Sequence, residues 1–286
     1  MTGRATVEEI LARVEAEGRS ALTAPEGRAV CEAYGIPTPR ERLATSADEA
    51  VAQAAEIGFP VVAKIVSPDI LHKTEAGGVL IGLRDEREVA AAYATILANA
   101  KAYDAAARIT GVQVQQMRTG GQEVIIGSVT DPSFGKIVAF GLGGVLVEVL
   151  KDVTFRLAPA STEEALSMVD SIAAAEVLNG VRGAEAVDKP ALADIVLRLS
   201  QLVTDFPQLA EVDLNPVLAT GSGATALDVR MLVDPAAAAE PVRFGQDEIL
   251  AAMNRIMKPA AVAVIGASAE DGKIGNSVMK NLVNGG

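Results

Sequence analysis

The segment Val61-Val62-Ala63-Lys64-Ile65-Val66 constrains the fold of this chain more than any other, because it reads as a β-strand with a lysine inside it. An ammonium carried alone into an apolar strand is costly to desolvate, so the fold has to bring an anionic partner to Lys64. Two outcomes meet that demand. One is a solvated edge or an ordinary salt bridge; the other is an anionic ligand clamped by the lysine.

Composition narrows the choice of ligand. The chain has 286 residues, is 50% hydrophobic and carries a formal net charge of −12. That length can bury a sizeable core in one large domain or two smaller ones. The acidic balance argues against a nucleic-acid partner, which needs a basic face to displace counterions. Cys31 is the single cysteine, so no intramolecular disulfide staples the fold. Arg4, Glu8, Glu9 and Arg13 leave no apolar signal core at the N-terminus. No apolar run approaches the roughly 20 residues that span a bilayer. The expectation is a cytoplasmic globular protein without a membrane partner.

Helix-start chemistry recurs as the S/T-x-x-E spacing of a capping box at Thr6 with Glu9, Ser46 with Glu49 and Ser161 with Glu164. Helical patterns cover Asp85 to about Ala102 and Lys189 to about Thr204. Strand patterns cover Val61–Val66, Val79–Ile81, Val112–Met117, Val124–Ile126, Ile137–Phe140 and Leu209–Leu214. A proline-flanked alanine run, Val233 to Pro241, reads as a linker. Beyond it the pattern gives a helix over Gln246–Met257, a strand over Ala261–Ile265 entering the turn Gly266-Ala267-Ser268, and a helix over Asn276–Asn284. One strand and one helix cannot bury both faces of a parallel sheet, so this last segment reads as the start of a truncated domain. The spacing of Gly266, Gly272 and Gly275 is not a strict dinucleotide fingerprint.

Three constellations carry chemistry. Eight residues after Lys64 stands His72, the only histidine, followed by Lys73 and by Gly77-Gly78, whose missing side chains let backbone amides approach phosphate oxygens. Any imidazole chemistry in the chain rests on His72. Glycines cluster again at Thr119-Gly120-Gly121, read as a hairpin before a strand opened by Glu123, and at Gly141-Leu142-Gly143-Gly144 ahead of Glu148, Lys151, Asp152 and Arg156. The latter pattern fits a mobile loop over a polyanion. Strand alternation in Glu211-Val212-Asp213-Leu214-Asn215-Pro216 puts Glu211, Asp213 and Asn215 on one face. Asp228 in a second short strand, Ala226–Arg230, pairs with them as a hairpin through Thr220-Gly221-Ser222-Gly223. The arrangement suits either a solvated polar sheet face or a hard cation held by one or two carboxylates and substrate phosphates.

These motifs, above all Ser67 to Thr74 with Gly77-Gly78-Val79, Gly141 to Asp152 with Arg156, and Glu211 to Pro216, resemble the ATP-grasp portion of the nucleoside-diphosphate-forming acyl-CoA synthetases. That is the family of ADP-forming acetate–CoA ligase, related to succinyl-CoA synthetase. The resemblance implies an α/β (α+β) ATP-grasp fold of two subdomains with nucleotide between them over residues 1–232. A linker and helix over 233–257 would follow, then over 258–286 the first β-α unit of a Rossmann-like CoA-binding domain. It implies ATP/ADP and Mg²⁺ as bound groups, with CoA and a carboxylic acid engaged through a CoA-ligase portion, and leaves homo-oligomerisation open. Lys64 and Arg156 would meet the phosphates, Gln116 and Met117 the adenine, and Glu123 the nucleotide. Asp213, Asn215 and Asp228 would attend the metal, and His72 would relay a phosphoryl group. Gln116 stands where relatives often carry a glutamate. A regulatory, non-catalytic ATP-grasp module of a fused protein acetyltransferase is the alternative, and a carboxylate–amine ligase module is a third; the His72 segment and the trailing start of a CoA-binding domain that the resemblance implies disfavour the third.

Overall fold

The computed structural model describes residues 2–70, 72–143, 152–181, 183, 185–238 and 244–285. The chain divides into two compact units, Met1–Pro241 and Val242–Gly286.

The first unit opens with α1 (Thr2–Ala16) and α2 (Ala24–Ala33). Strands β1 (Glu41–Ala44), β2 (Val61–Val66), β3 (Val79–Leu83) and β4 (Gly111–Gln116) form an antiparallel sheet in the order β1-β4-β2-β3. Helices α3 (Ala47–Ile57) and α4 (Glu86–Tyr103) cover one face, where Val61, Ala63, Ile65 and Val114 pack against Ile57 and Ile96. The two-residue period of a strand then sends Val62, Lys64 and Gln115 to the opposite face. Every residue of β2 is buried.

The second sheet comprises β5 (Gln122–Asp131), β6 (Gly135–Leu142), β7 (Val153–Leu157), β8 (Leu209–Thr220), β9 (Gly223–Ala226) and β10 (Val229–Val233). Its order is β10-β8-β5-β6-β7, with β9 also paired to β8. Phe140, Ile126 and Leu214 point inward against helices α5 (Thr162–Ser171) and α6 (Lys189–Asp205), which supply Met168, Ile195 and Leu199. In the second unit, α7 (Gln246–Met257) and α8 (Ile274–Asn284) are the regular elements. No described helix is long and apolar enough to cross a membrane.

Several local expectations change. Thr6 does not start a helix, since α1 begins at Thr2. At Ser161 the capping box forms in full, whereas Ser46 caps α3 but Glu49 turns back to the amide of Thr45. The expected hairpin at Thr119 to Gly121 is instead the crossing between the sheets, because β4 lies in one and β5 in the other. Gly120 and Gly121 take φ of 80° and 83° there, and a Cβ on Gly121 would run into the Ala219 carbonyl. Residues Ala261–Ile265 form no strand; an extended segment needs a neighbour to receive its ladder bonds, and none of the described residues pairs with it. The loop carrying Glu148 and Lys151 lies outside the described residues.

An ion cluster formed by residues outside the motifs above ties α1 and α2 to the second sheet. Arg19 donates to both carboxylate oxygens of Glu26 at 2.9 Å, and the Thr23 amide adds a bond of 2.8 Å. The intervening chain lies along β10 through Leu22 N to Met231 O at 3.0 Å and Val233 N to Ser20 O at 2.8 Å. Burial alone would raise the Glu26 pKa, but the bonds from Arg19 and Thr23 outweigh it and hold the carboxyl at about 2, below its ordinary 4.5. A folded-state pKa below the unfolded one stabilises the fold above the unfolded value and ceases to do so as pH falls through the folded value. Glu26→Gln should therefore lower stability by about 1–2 kcal/mol at neutral pH. In urea titrations the gap from wild type should narrow as pH drops from 4.5 towards about 2; a gap independent of pH would show that the carboxylate charge is not what matters.

Candidate active site

The cleft that holds most of the predicted site residues is built around a break in a strand. β9 pairs with β8 up to Ala226 against Val217, and β10 resumes the pairing with Val229 against Leu214. Between them Leu227 and Asp228 face Asn215 and Pro216, so the expected continuous strand Ala226–Arg230 is interrupted at its centre. Pro216 has no N–H to give to the ladder. Two bonds still hold the break, Leu227 N to Pro216 O at 2.9 Å and Asn215 N to Asp228 O at 3.2 Å. The Leu227 carbonyl is turned to the first sheet, where Lys64 Nζ donates to it at 2.7 Å and Gln115 Nε2 at 3.1 Å.

Asp228 is thereby set beside two lysines. Its Oδ1 lies 3.8 Å from Lys64 Nζ, and Lys73 Nζ donates to both of its oxygens at 3.0 Å. Burial pushes the Lys64 pKa below the ordinary lysine value, and Asp228 opposes that shift. Gln115 links this point to Glu41, whose Oε2 accepts from its amide at 2.7 Å and whose carboxyl is raised by burial. The Glu41–Gln115–Leu227 connection had no motif; its only sequence signal was Gln113 and Gln115 alternating with Val112 and Val114.

The cleft has a volume of about 780 Å³, and its lining includes Lys64, Gln116, Met117, Glu123, Asn215 and Asp228. Gln116 and Met117 stand at the crossing between the sheets, Lys64 and Asp228 at the strand break. Gln116 Oε1 is buried and has no hydrogen-bond partner, an acceptor left for a donor entering the cleft. Asn215 and Asp228 also line a second cavity of about 230 Å³, together with His72, Lys73, Asp213 and Arg230. The alternation expected in β8 holds, with Val212 and Leu214 in the core and Asp213 and Asn215 away from it. Burial holds the Asp213 carboxyl above its ordinary range; Arg230 pulls the other way, and Glu211, itself paired with Arg230, adds to the rise.

His72 is carried on a braced turn. Ser67 Oγ accepts from the amides of Asp69 and Ile70, and Asp69 is clasped by Arg108 through three bonds between 2.7 and 3.0 Å. At the far end Ile65 N donates to Gly78 O at 2.7 Å. The imidazole itself is 61% exposed, with Glu75 at 4.0 Å. The glycines do not form the expected phosphate loop: Gly77 N donates to Thr74 O and Gly78 N to Lys73 O, so both amides are spent within the turn. Gly78 serves close packing instead, since a Cβ there would strike Ile65 and approach Lys73 O at 3.0 Å.

Arg156 stands apart from this assembly. It lies on β7, at the edge of the second sheet opposite β10, and reaches Ser167 on α5 at 3.1 Å. It lines neither cavity. Asp152 likewise is a local brace, accepting from the amides of Ala173 and Ala174.

A family model described as an ATP-grasp domain matches residues 13–233. The chain belongs to the ATP-grasp family. Within that family it groups with the ADP-forming acyl-CoA ligases. It is 44% identical to acetate–CoA ligase [ADP-forming] I subunit beta of Pyrococcus furiosus, over 80% of this chain and 98% of the relative. It is 47% identical to 4-hydroxybutyrate–CoA ligase [ADP-forming] of Nitrosopumilus maritimus, over 80% of this chain but only 33% of that protein. Thus the chain spans a third of the second relative and nearly all of the first. Among solved structures it resembles the dinucleotide forming acetyl-coenzyme A synthetase 1 of Ca. Korarchaeum cryptofilum in complex with coenzyme A, Ca-AMPCP and HgCl⁺. That match has a TM-score of 0.78 at 43% identity and covers 79% of this chain and 99% of the other. Another structure of that protein holds coenzyme A and Mg-AMPPCP with its phosphohistidine segment pointing towards the nucleotide binding site, at TM-score 0.71, 40% identity, and 80% and 100% coverage.

Gly78 packs against Ile65 and bonds to the Lys73 carbonyl within the turn that carries Lys73 and His72. Gly78→Ala should cost about 1–3 kcal/mol through overpacking against Ile65, measured as a lowered urea midpoint. An unchanged midpoint would mean that the turn relaxes at no cost.

Proposed function

We propose that this chain binds ATP in the cleft and passes the γ-phosphoryl group to His72, as the nucleotide half of an ADP-forming acyl-CoA synthetase. The observation that carries the reading is that Lys64, Asn215 and Asp228 line one cleft together with Gln116 and Met117. His72 lies in the adjoining cavity that shares Asn215 and Asp228. Adenine enters against Gln116, whose unpaired Oε1 takes a hydrogen bond from the exocyclic amine; Glu123 borders the nucleotide; the phosphates run towards Lys64.

Two carboxylates and an amide oxygen fit a cation that keeps part of its shell for water and phosphate. Among the described residues, no group of three or more His, Cys, Asp or Glu makes an all-protein metal cage. Asp228 and Asn215, with Asp213 beside them, would hold Mg²⁺, which when bound neutralises charge on the phosphates. The chain's own groups do the rest. Lys64, pinned by Leu227 O, places its ammonium on the phosphate oxygens. A neutral ring nitrogen of His72 attacks the γ-phosphorus, so that an N–P bond forms as the P–O bond to ADP breaks. Positioning and charge supply most of the acceleration in such transfers. In the whole synthetase, carboxylate, CoA and ATP give acyl-CoA, ADP and phosphate, with a CoA-ligase portion as the partner that exchanges phosphoryl groups with His72. We assign residues 1–232 to the ATP-grasp domain, 233–257 to a linker and helix and 258–286 to the opening of a CoA-binding domain, in an enzyme of the cytoplasm.

The test uses γ-labelled ATP with Mg²⁺ and a CoA-ligase portion. Wild type should acquire acid-labile, base-stable label, and His72→Ala none, while its nucleotide affinity stays within about twofold of wild type. Lys64→Met should weaken nucleotide binding by about tenfold or more through loss of charge-assisted bonds. Equal labelling of wild type and His72→Ala would refute the relay, and unchanged affinity in Lys64→Met would refute the placement of the phosphates.

A further inference from the structure

Lys73 borders the second cavity and is held there by Asp228, the carboxylate proposed above to hold the metal. Its ammonium gives two bonds of 3.0 Å to Asp228, one to each oxygen. Lys64, by contrast, is anchored by the Leu227 carbonyl at 2.7 Å and stands 3.8 Å from the same carboxylate. A carboxylate that turns its oxygens to a divalent cation cannot keep both on an ammonium, because the two positive charges repel across it. Lys73 is next to His72 in the chain, and both side chains line the cavity of about 230 Å³ that Asp228 borders. Its side chain is only 16% exposed, so an ammonium displaced from Asp228 is costly to leave unpaired and needs a new anion close by.

Resting on the reading just given, we propose that Lys73 is a metal-linked phosphoryl holder. With the cleft empty it neutralises Asp228; when Mg²⁺ and nucleotide claim Asp228, Lys73 is released to the phosphoryl group on His72. Lys64 cannot take this part, since its strand and the Leu227 carbonyl fix it on the nucleotide side. The device couples metal binding to stabilisation of the phosphohistidine: the cation that guards the metal site in the empty state is the one that supports the product once the site is filled.

The experiment compares wild type with Lys73→Met and Lys73→Arg in the full chain. The first readout is AMPPCP affinity in EDTA and in Mg²⁺. Removing the competitor for Asp228 should raise the Mg²⁺-dependent gain in affinity of Lys73→Met about fivefold or more above that of wild type. The second is label on His72 from γ-labelled ATP, which should fall about tenfold in Lys73→Met and be largely restored in Lys73→Arg. A Mg²⁺ gain that is unchanged or smaller in Lys73→Met overturns the switch, as does undiminished labelling. Failure of the underlying reading looks different: wild type itself would then not bind AMPPCP or not label His72, which overturns both.

Discussion

The structure turns on a buried ammonium. Lys64 sits at the centre of a strand whose every residue is buried, and neither of its sheet neighbours, Gln113 nor Val79, offers it a charge. The second sheet supplies what is missing. Pro216 interrupts the ladder of β8, the interruption turns the Leu227 carbonyl towards the first sheet, and Asp228 follows directly behind it. A neutral carbonyl at hydrogen-bond distance and a carboxylate at 3.8 Å together satisfy the lysine without enclosing it in a tight ion pair. A tight buried pair would be strong only at the cost of desolvating both charges. The looser arrangement keeps the ammonium available to a ligand.

Much of the fold was legible because the patterns were local. Strand β2 matches the expected Val61–Val66, helix α6 begins at the expected Lys189, and α7 covers the expected Gln246–Met257. What escaped was non-local. The Thr23-Ala24-Pro25-Glu26 segment has the spacing of a capping box, but the cluster at Glu26 forms only because Arg19 folds back onto it. Gly120 and Gly121 read as a hairpin since glycine marks any reversal; only the partner strands tell a hairpin from a crossing between sheets. Gly77 and Gly78 read as a phosphate loop for a similar reason, and the turn uses their amides itself.

The site residues divide the same way. Lys64, Gln116, Met117, Glu123, Asn215 and Asp228 come from five separate segments and share one cleft, an outcome that motif order alone did not locate in space. Asp213 and His72 fall in the adjoining cavity, and Arg156 in neither. The resemblance would set Arg156 on the phosphates, yet it lies on β7, the far edge strand, and donates to Ser167 and the Phe155 carbonyl. Conversely, Gln115, which alternates with the valines of β4, donates to the Leu227 carbonyl.

The acidity of the chain sets the last constraint. A formal charge of −12 disfavours the approach of a polyanion. At physiological ionic strength that field is screened beyond about 8 Å, so the balance within the cleft decides whether phosphate binds. Lys64 and Lys73 set two ammonium groups against Asp228 at the strand break, with Glu41 a further carboxylate acting on Lys64. Exposed lysines would hold their charges loosely. Here one ammonium is fixed by a strand and a carbonyl and the other by a carboxylate, so both charges are held in place by the fold itself.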